Sequence, residues 1–260
     1  MPVFTDQLNR SISLSRLPRR IISLVPSQTQ LLHALGLEEE VVGITKFCVH
    51  PDEWRRSKTR VGGTKDIHPG IIRSLQPDLI IANKEENRRE QIEQLFPHYP
   101  VWVSDIATLD DAREMITAVG GLTGRTQQAI SLAGRIQDAF RSQKPPATTL
   151  RAAYFIWRNP YMVAGGDTFI HHMMEQCRLV NIYQDKTRYP VIQLEELAQK
   201  ACELVLLSSE PYPFRDKHIA EIKNILPSAT VRLVDGEMFS WYGSRLLESP
   251  AYFRQLHESL

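Results

Sequence analysis

Short apolar runs rich in β-branched residues alternate with segments of helical period along almost the whole chain, and this alternation limits the fold more than any other feature. Ile21-Ile22-Ser23-Leu24-Val25 reads as a strand that stops at Pro26, and Ser27 then stands as the N-cap of a helix carrying Leu31, Leu32 and Leu35. Gly36 ends that helix and Val41-Val42-Gly43-Ile44 forms the next strand. The unit repeats: a helix with Ile71, Ile72 and Leu75, the strand Leu79-Ile80-Ile81, a helix over about 87–96, the strand Val101-Trp102-Val103, and an amphipathic helix over 109–119. Strands that alternate with helices predict mostly parallel sheets, because a parallel pair needs a long crossover.

From 125 to 142 a helical pattern (Ile130, Leu132, Ala133, Ile136, Phe140) runs on until Pro145-Pro146 stops it. A second alternating half follows, with strands at 152–157, 204–207 and 231–234, helices at 168–177 and 219–226, and a last helix from about Gly243. The expected architecture is α/β: two Rossmann-like lobes with mostly parallel sheets, 1–122 and 147–260, joined by one long helix at 123–146, with a ligand cleft between the lobes. At 260 residues, two lobes and a connector use up the chain.

Composition narrows the partners. Thirty-one Lys and Arg against 30 Asp and Glu leave a formal charge of +1, so no net field favours nucleic acid or an anionic membrane, and the expected partner is a small molecule. No run approaches the roughly 18 apolar residues of a membrane span. Cys48, Cys177 and Cys202 form neither a C-x-x-C pair nor a disulfide framework, and the first twenty residues hold no apolar stretch of a secretory leader. These features give a cytoplasmic expectation.

Familiar catalytic signatures are missing. There is no P-loop, since Gly120-Gly121-Leu122-Thr123-Gly124-Arg125-Thr126 lacks the lysine and follows a helix; nor is there a G-x-S-x-G elbow or an H-E-x-x-H pair. The chain therefore reads as a binding protein and not an enzyme, with no required cofactor. In open α/β sheets ligands bind beyond the carboxyl ends of the strands. That rule selects Phe47, Cys48, His50, Lys65, Lys84, Glu85 and Glu86 in the first lobe. In the second half it selects Trp157, Glu210, Glu237, Trp241, Tyr242 and Arg245. Cys48 and His50, two apart, are candidate ligands for a transition metal, the alternative being a packed cysteine and a His-Pro turn. The rings of Trp157, Trp241 and Tyr242 offer either stacking platforms or rim packing.

The ordered set Arg19-Arg20-Ile21-Ile22-Ser23-Leu24-Val25-Pro26-Ser27, Leu35-Gly36, Val61-Gly62-Gly63, Leu75-Gln76-Pro77-Asp78-Leu79-Ile80, Gly165-Gly166, Asn181, Tyr189-Pro190 and Ser240-Trp241-Tyr242-Gly243-Ser244-Arg245 resembles the periplasmic binding proteins for vitamin B12 and iron siderophores, the vitamin B12 branch most closely. The resemblance implies two lobes on a rigid helix, a bound cobalamin, siderophore or other metal chelate, and delivery to an ABC permease through one surface glutamate per lobe. In this chain the first docking position carries Gly70 and the second Glu195. Two other readings stand beside a cytoplasmic relative of these proteins: a conventional importer subunit, and a metal-dependent enzyme using Cys48 and His50.

Overall fold

The computed structural model describes residues 2–143 and 148–260. The chain divides into two compact units. The first comprises 1–106, 110–137 and 242–245; the second comprises 107–109, 138–241 and 246–260.

The first unit opens with a hairpin, β1 (Val3–Thr5) and β2 (Ser11–Ser13), which the apolar pattern did not announce because each strand is three residues long. Its turn is built on Asp6, whose Oδ1 accepts the N–H groups of Leu8 and Arg10 at 3.0 and 2.8 Å while Oδ2 pairs with the Arg10 guanidinium. The alternating core follows as β3 (Ile21–Ser23), α1 (Pro26–Ala34), β4 (Val41–Ile44), α2 (Asp52–Ser57), β5 (Thr59–Arg60), α3 (Pro69–Leu75), β6 (Leu79–Asn83), α4 (Arg89–Glu93), β7 (Val101–Ser104), α5 (Leu109–Thr123) and α6 (Thr126–Arg141), whose residues from 138 on count with the second unit. Five strands form one sheet in the order β5-β4-β3-β6-β7, and every pair is parallel. Ile22, Ile80, Ala82, Val101 and Val103 lie in its core against Ile72 and Ile92 from the flanking helices. Burying each branched aliphatic chain contributes roughly 1.5–3 kcal/mol, which is why these runs show no polar alternation.

The second unit contains β8 (Leu150–Trp157), β9 (Met162–Val163), α7 (Phe169–Gln176), β10 (Leu179–Asn181), α8 (Glu196–Gln199), β11 (Leu204–Ser208), α9 (Asp216–Ile225), β12 (Thr230–Val234), α10 (Glu237–Ser240), a 3-10 turn at Ser244–Leu247 and α11 (Ser249–Glu258). Its sheet runs β10-β8-β11-β12 in parallel, with β9 folded back antiparallel on β8. Gly165 and Gly166 are required where the chain passes the 184–188 segment, since a Cβ on Gly166 would sit 2.1 Å from the Gln184 carbonyl oxygen.

Three local expectations are corrected. Ser27 is not an N-cap: α1 begins at Pro26, whose missing N–H costs nothing in the first turn, so Val25 takes the cap position. The helix expected over 87–96 is regular only at Arg89–Glu93. The last helix starts at Ser249, because 244–247 is a 3-10 turn. The Pro145-Pro146 stop lies outside the described residues.

Candidate functional site

In each sheet one pair of neighbouring strands sends its following helices in opposite directions. In the first unit the chain leaves β3 toward β4 and leaves β6 toward β7; in the second it leaves β8 toward β10 and β11 toward β12. Within each sheet the loops beyond that pair, β3 and β6 in the first unit and β8 and β11 in the second, therefore stand at the position where such a sheet binds ligands.

Polar side chains that sequence reasoning passed over fix the first-unit loops. Asn83, buried at the end of β6, accepts the N–H groups of Glu85 and Glu86 on Oδ1 at 2.8 and 2.9 Å. Its Nδ2 donates to Ser104 Oγ at 2.9 Å, which also accepts Gln28 Nε2 at 2.5 Å. Asn87 receives the Asn83 N–H on Oδ1 and donates to the carbonyl oxygens of Leu24 and Thr64. Four loops are thus tied by two buried asparagines. The signal was present in the sequence, since an Asn that ends an apolar strand favours such a side-chain turn.

On this frame Lys65 donates from Nζ to the Glu85 carbonyl oxygen at 2.6 Å, and Tyr242 donates from its hydroxyl to Glu86 Oε1 at 2.7 Å. Burial, and then the Glu86 charge, hold the Tyr242 hydroxyl far above its ordinary pKa. Lys84 turns to Asp105, 2.6 Å away. Phe47 is exposed beneath the Lys46 ammonium, and His50 and Arg245 are half-buried. Cys48 is fully buried between the hydroxyls of Thr29 and Thr45, at 3.0 and 3.2 Å, and burial raises its thiol pKa. That environment matches a packed cysteine. Among the described residues no group of three or more His, Cys, Asp or Glu could hold a metal ion.

In the second unit Trp157 ends β8, is 40% exposed, and is braced edge-on by Tyr212 from the loop after β11, ring centroids 5.7 Å apart. Tyr212 itself rests on Phe214 and His218. The sequence reading missed Tyr212 because it lies in a proline-rich loop without period. Of the two readings of the Trp241 ring, the structure matches packing: it is 6% exposed, and its indole N–H is taken by Glu210 Oε1 at 2.8 Å. A buried indole needs an acceptor, and the carboxylate supplies it. Glu237 stands nearby with its N–H on Asp235 Oδ1. Burial raises the Glu210 pKa; its two hydrogen bonds pull it back, and the charges of Glu237 and Asp235 push it up again. Glu195, next to α8, and Gly70, in α3, are both exposed.

Two parallel α/β units whose switch-point loops carry aromatic and hydrogen-bonding side chains are the arrangement of a small-ligand binding protein. The chain belongs to the periplasmic binding protein family, whose profile matches residues 21–224. It is 26% identical over 243 residues to the vitamin B12-binding protein of Pectobacterium carotovorum subsp. carotovorum (strain PC1), an alignment spanning 89% of this chain and 85% of the relative. Among solved structures it resembles the periplasmic vitamin B12 binding protein BtuF of Vibrio cholerae, with a TM-score of 0.77, 21% identity and coverage of 93% and 97% of the two chains. It also resembles the periplasmic heme binding protein HutB of Vibrio cholerae, with a TM-score of 0.78, 19% identity and coverage of 91% and 98%. At those identities the structural likeness shows the fold. These relatives are binding proteins, and neither they nor the family supports the cytoplasmic expectation. Among the described residues no helix is long and apolar enough to cross a membrane.

Proposed function

We propose that this chain binds a flat metal chelate, a corrinoid before any other, through the loops beyond its switch-point strands. The observation that carries the reading is the exposed Trp157 ring, held edge-on by Tyr212 in a loop that also presents the Glu210 carboxyl. A large ring left in water at a strand end is a stacking surface, and the bracing aromatic fixes its plane before a ligand arrives. The vitamin B12 relative supports a corrinoid as the occupant. On this reading the metal comes with the ligand. The candidate ligand-contacting groups that the first unit offers are Phe47, His50, Lys65, Glu85 and Glu86; those of the second are Trp157, Glu210 and Glu237, with Trp241 acting through Glu210. Glu195 is the residue that meets an ABC permease, while Gly70 leaves the other docking position uncharged.

Titration with cyanocobalamin, followed by tryptophan emission and by native mass spectrometry, tests this. Saturable quenching and a one-to-one adduct are expected. Trp157→Phe should remove most of the quenching and weaken binding by roughly 1 kcal/mol, about fivefold. If Trp157→Phe keeps both the affinity and the quenching of the unmodified chain, the loops beyond β8 and β11 are not the ligand surface.

A further inference from the structure

The Glu210 side chain is fixed with a directness that exceeds what packing requires. Its Oε1 accepts two hydrogen bonds, from Trp241 Nε1 and from Ser240 Oγ, both at 2.8 Å. Its backbone is held as well: the N–H donates to Ser208 Oγ at 3.2 Å, and that hydroxyl donates to the Glu210 carbonyl oxygen at 2.6 Å. Gly236 completes the mould, because a Cβ there would stand 2.6 Å from Glu210 Cγ and 2.5 Å from Ser208 Oγ. Only Oε2 is left over, and it accepts no hydrogen bond from the described residues. The residue follows β11, in the same loop as Tyr212, whose ring braces the exposed Trp157. Glu237 at the start of α10 and Asp235 in the turn before it are acidic neighbours whose charges push the Glu210 pKa up.

We propose that Glu210 is a specificity-determining residue of the ligand surface: Oε2 selects chelates whose side arms present N–H donors and turns away those that present carboxylates. The inference rests on the chelate-binding reading above and refines it. A primary amide donates to Oε2 and gains a hydrogen bond to a charged acceptor. A carboxylate at the same place meets three acidic groups, and like-charge juxtaposition at an interface is strongly unfavourable. Trp241 and Ser240 are positioning residues, since they hold Oε1 and thereby aim Oε2.

The test compares cyanocobalamin with its mild-hydrolysis monocarboxylic acids, in which one side-arm amide has become a carboxylate and the corrin is unchanged. Glu210→Gln is the informative variant, because its amide oxygen keeps the bonds from Trp241 and Ser240 while an N–H donor replaces Oε2. The unmodified chain should bind cyanocobalamin about tenfold or more tightly than at least one of the acids, and Glu210→Gln should bring that ratio to within about threefold. Trp241 emission and the melting temperature report whether the variant keeps its fold; Glu210→Asp, which keeps the charge but shortens the reach, should retain part of the preference. Cyanocobalamin binding with the same ratio in unmodified chain and Glu210→Gln overturns the role of Glu210 alone. No binding of cyanocobalamin by the unmodified chain overturns the corrinoid reading, and this inference with it.

Discussion

Cys48, Cys177 and Cys202 are all buried free thiols, and in each case burial is the leading reason that the thiol pKa lies above its ordinary value, near 12 for Cys177 and 11 for Cys202. A thiol in that state is neither a nucleophile nor a ready metal ligand at neutral pH. The native protein is therefore expected to give no fast reaction with a disulfide reagent at pH 8 and to release three equivalents after denaturation. Metal content measured by elemental analysis should be equal in the unmodified chain and in Cys48→Ser with His50→Ala; loss of a stoichiometric metal in that variant would restore the thiolate-imidazole reading. Glu210 behaves in the opposite functional sense, because its raised pKa belongs to a group that is partly open and fixed in place. For an acid whose folded pKa is raised, the native state holds the proton more tightly, so its stability contribution is lost as pH rises from the ordinary carboxylate range through the folded value. Calorimetry between pH 4 and 8 should accordingly show Glu210→Gln gaining on the unmodified chain with rising pH. A gain in the other direction means that the hydrogen bonds outweigh burial.

At the scale of elements, the strands were legible where four or more apolar residues run together, as in β6, β8 and β11, because parallel strands covered on both faces carry no polar alternation. β1, β2 and β10 were not legible, since each holds only one or two apolar residues, and the β1–β2 turn is fixed by the Asp6 side chain and not by period. The same division holds for the candidate site. The strand-end rule picks out Trp157, Glu85, Glu86 and Glu210 as candidates, but the parts that Asn83, Asn87, Ser104 and Tyr212 play are recognised only when neighbouring loops are seen together. Asn83 is the sharpest case, because one side chain ends β6, shapes the following turn and reaches Ser104 at the end of β7. Asn83→Ala should cost about 1–3 kcal/mol in chemical denaturation, since it strands buried partners. Asn83→Asp keeps the turn but places a charge beside Ser104, and should cost at least as much. A loss below about 0.5 kcal/mol in both would show that the loops hold without this network.

For the molecule as a whole, a formal charge of +1 supplies no long-range steering, so recognition of a macromolecular partner has to come from particular surface charges. Gly70 and Glu195 are where the family resemblance places those charges, and both are exposed. Nothing lies within 4 Å of the position that a Gly70 Cβ would occupy, so a glutamate there meets no obstacle. It also sits in the first turn of α3, where a carboxylate complements the helix dipole and glycine is a poor helix former; Gly70→Glu should stabilise the chain by about 1 kcal/mol. Its effect on coupling is the more informative one. Leaving one partner of a desolvated charge pair unmatched costs roughly 2–5 kcal/mol, so if this chain docks as proposed, permease arginines facing Gly70 would be left unpaired and Glu195 would supply one of two contacts. The unmodified chain loaded with cyanocobalamin is expected to leave the ATPase rate of a reconstituted vitamin B12 permease unchanged, and Gly70→Glu to raise it, with Glu195→Ala in that background returning it to baseline. Strong stimulation by the unmodified chain, abolished by Glu195→Ala alone, would mean that one glutamate suffices and that this protein already couples to an importer as it stands.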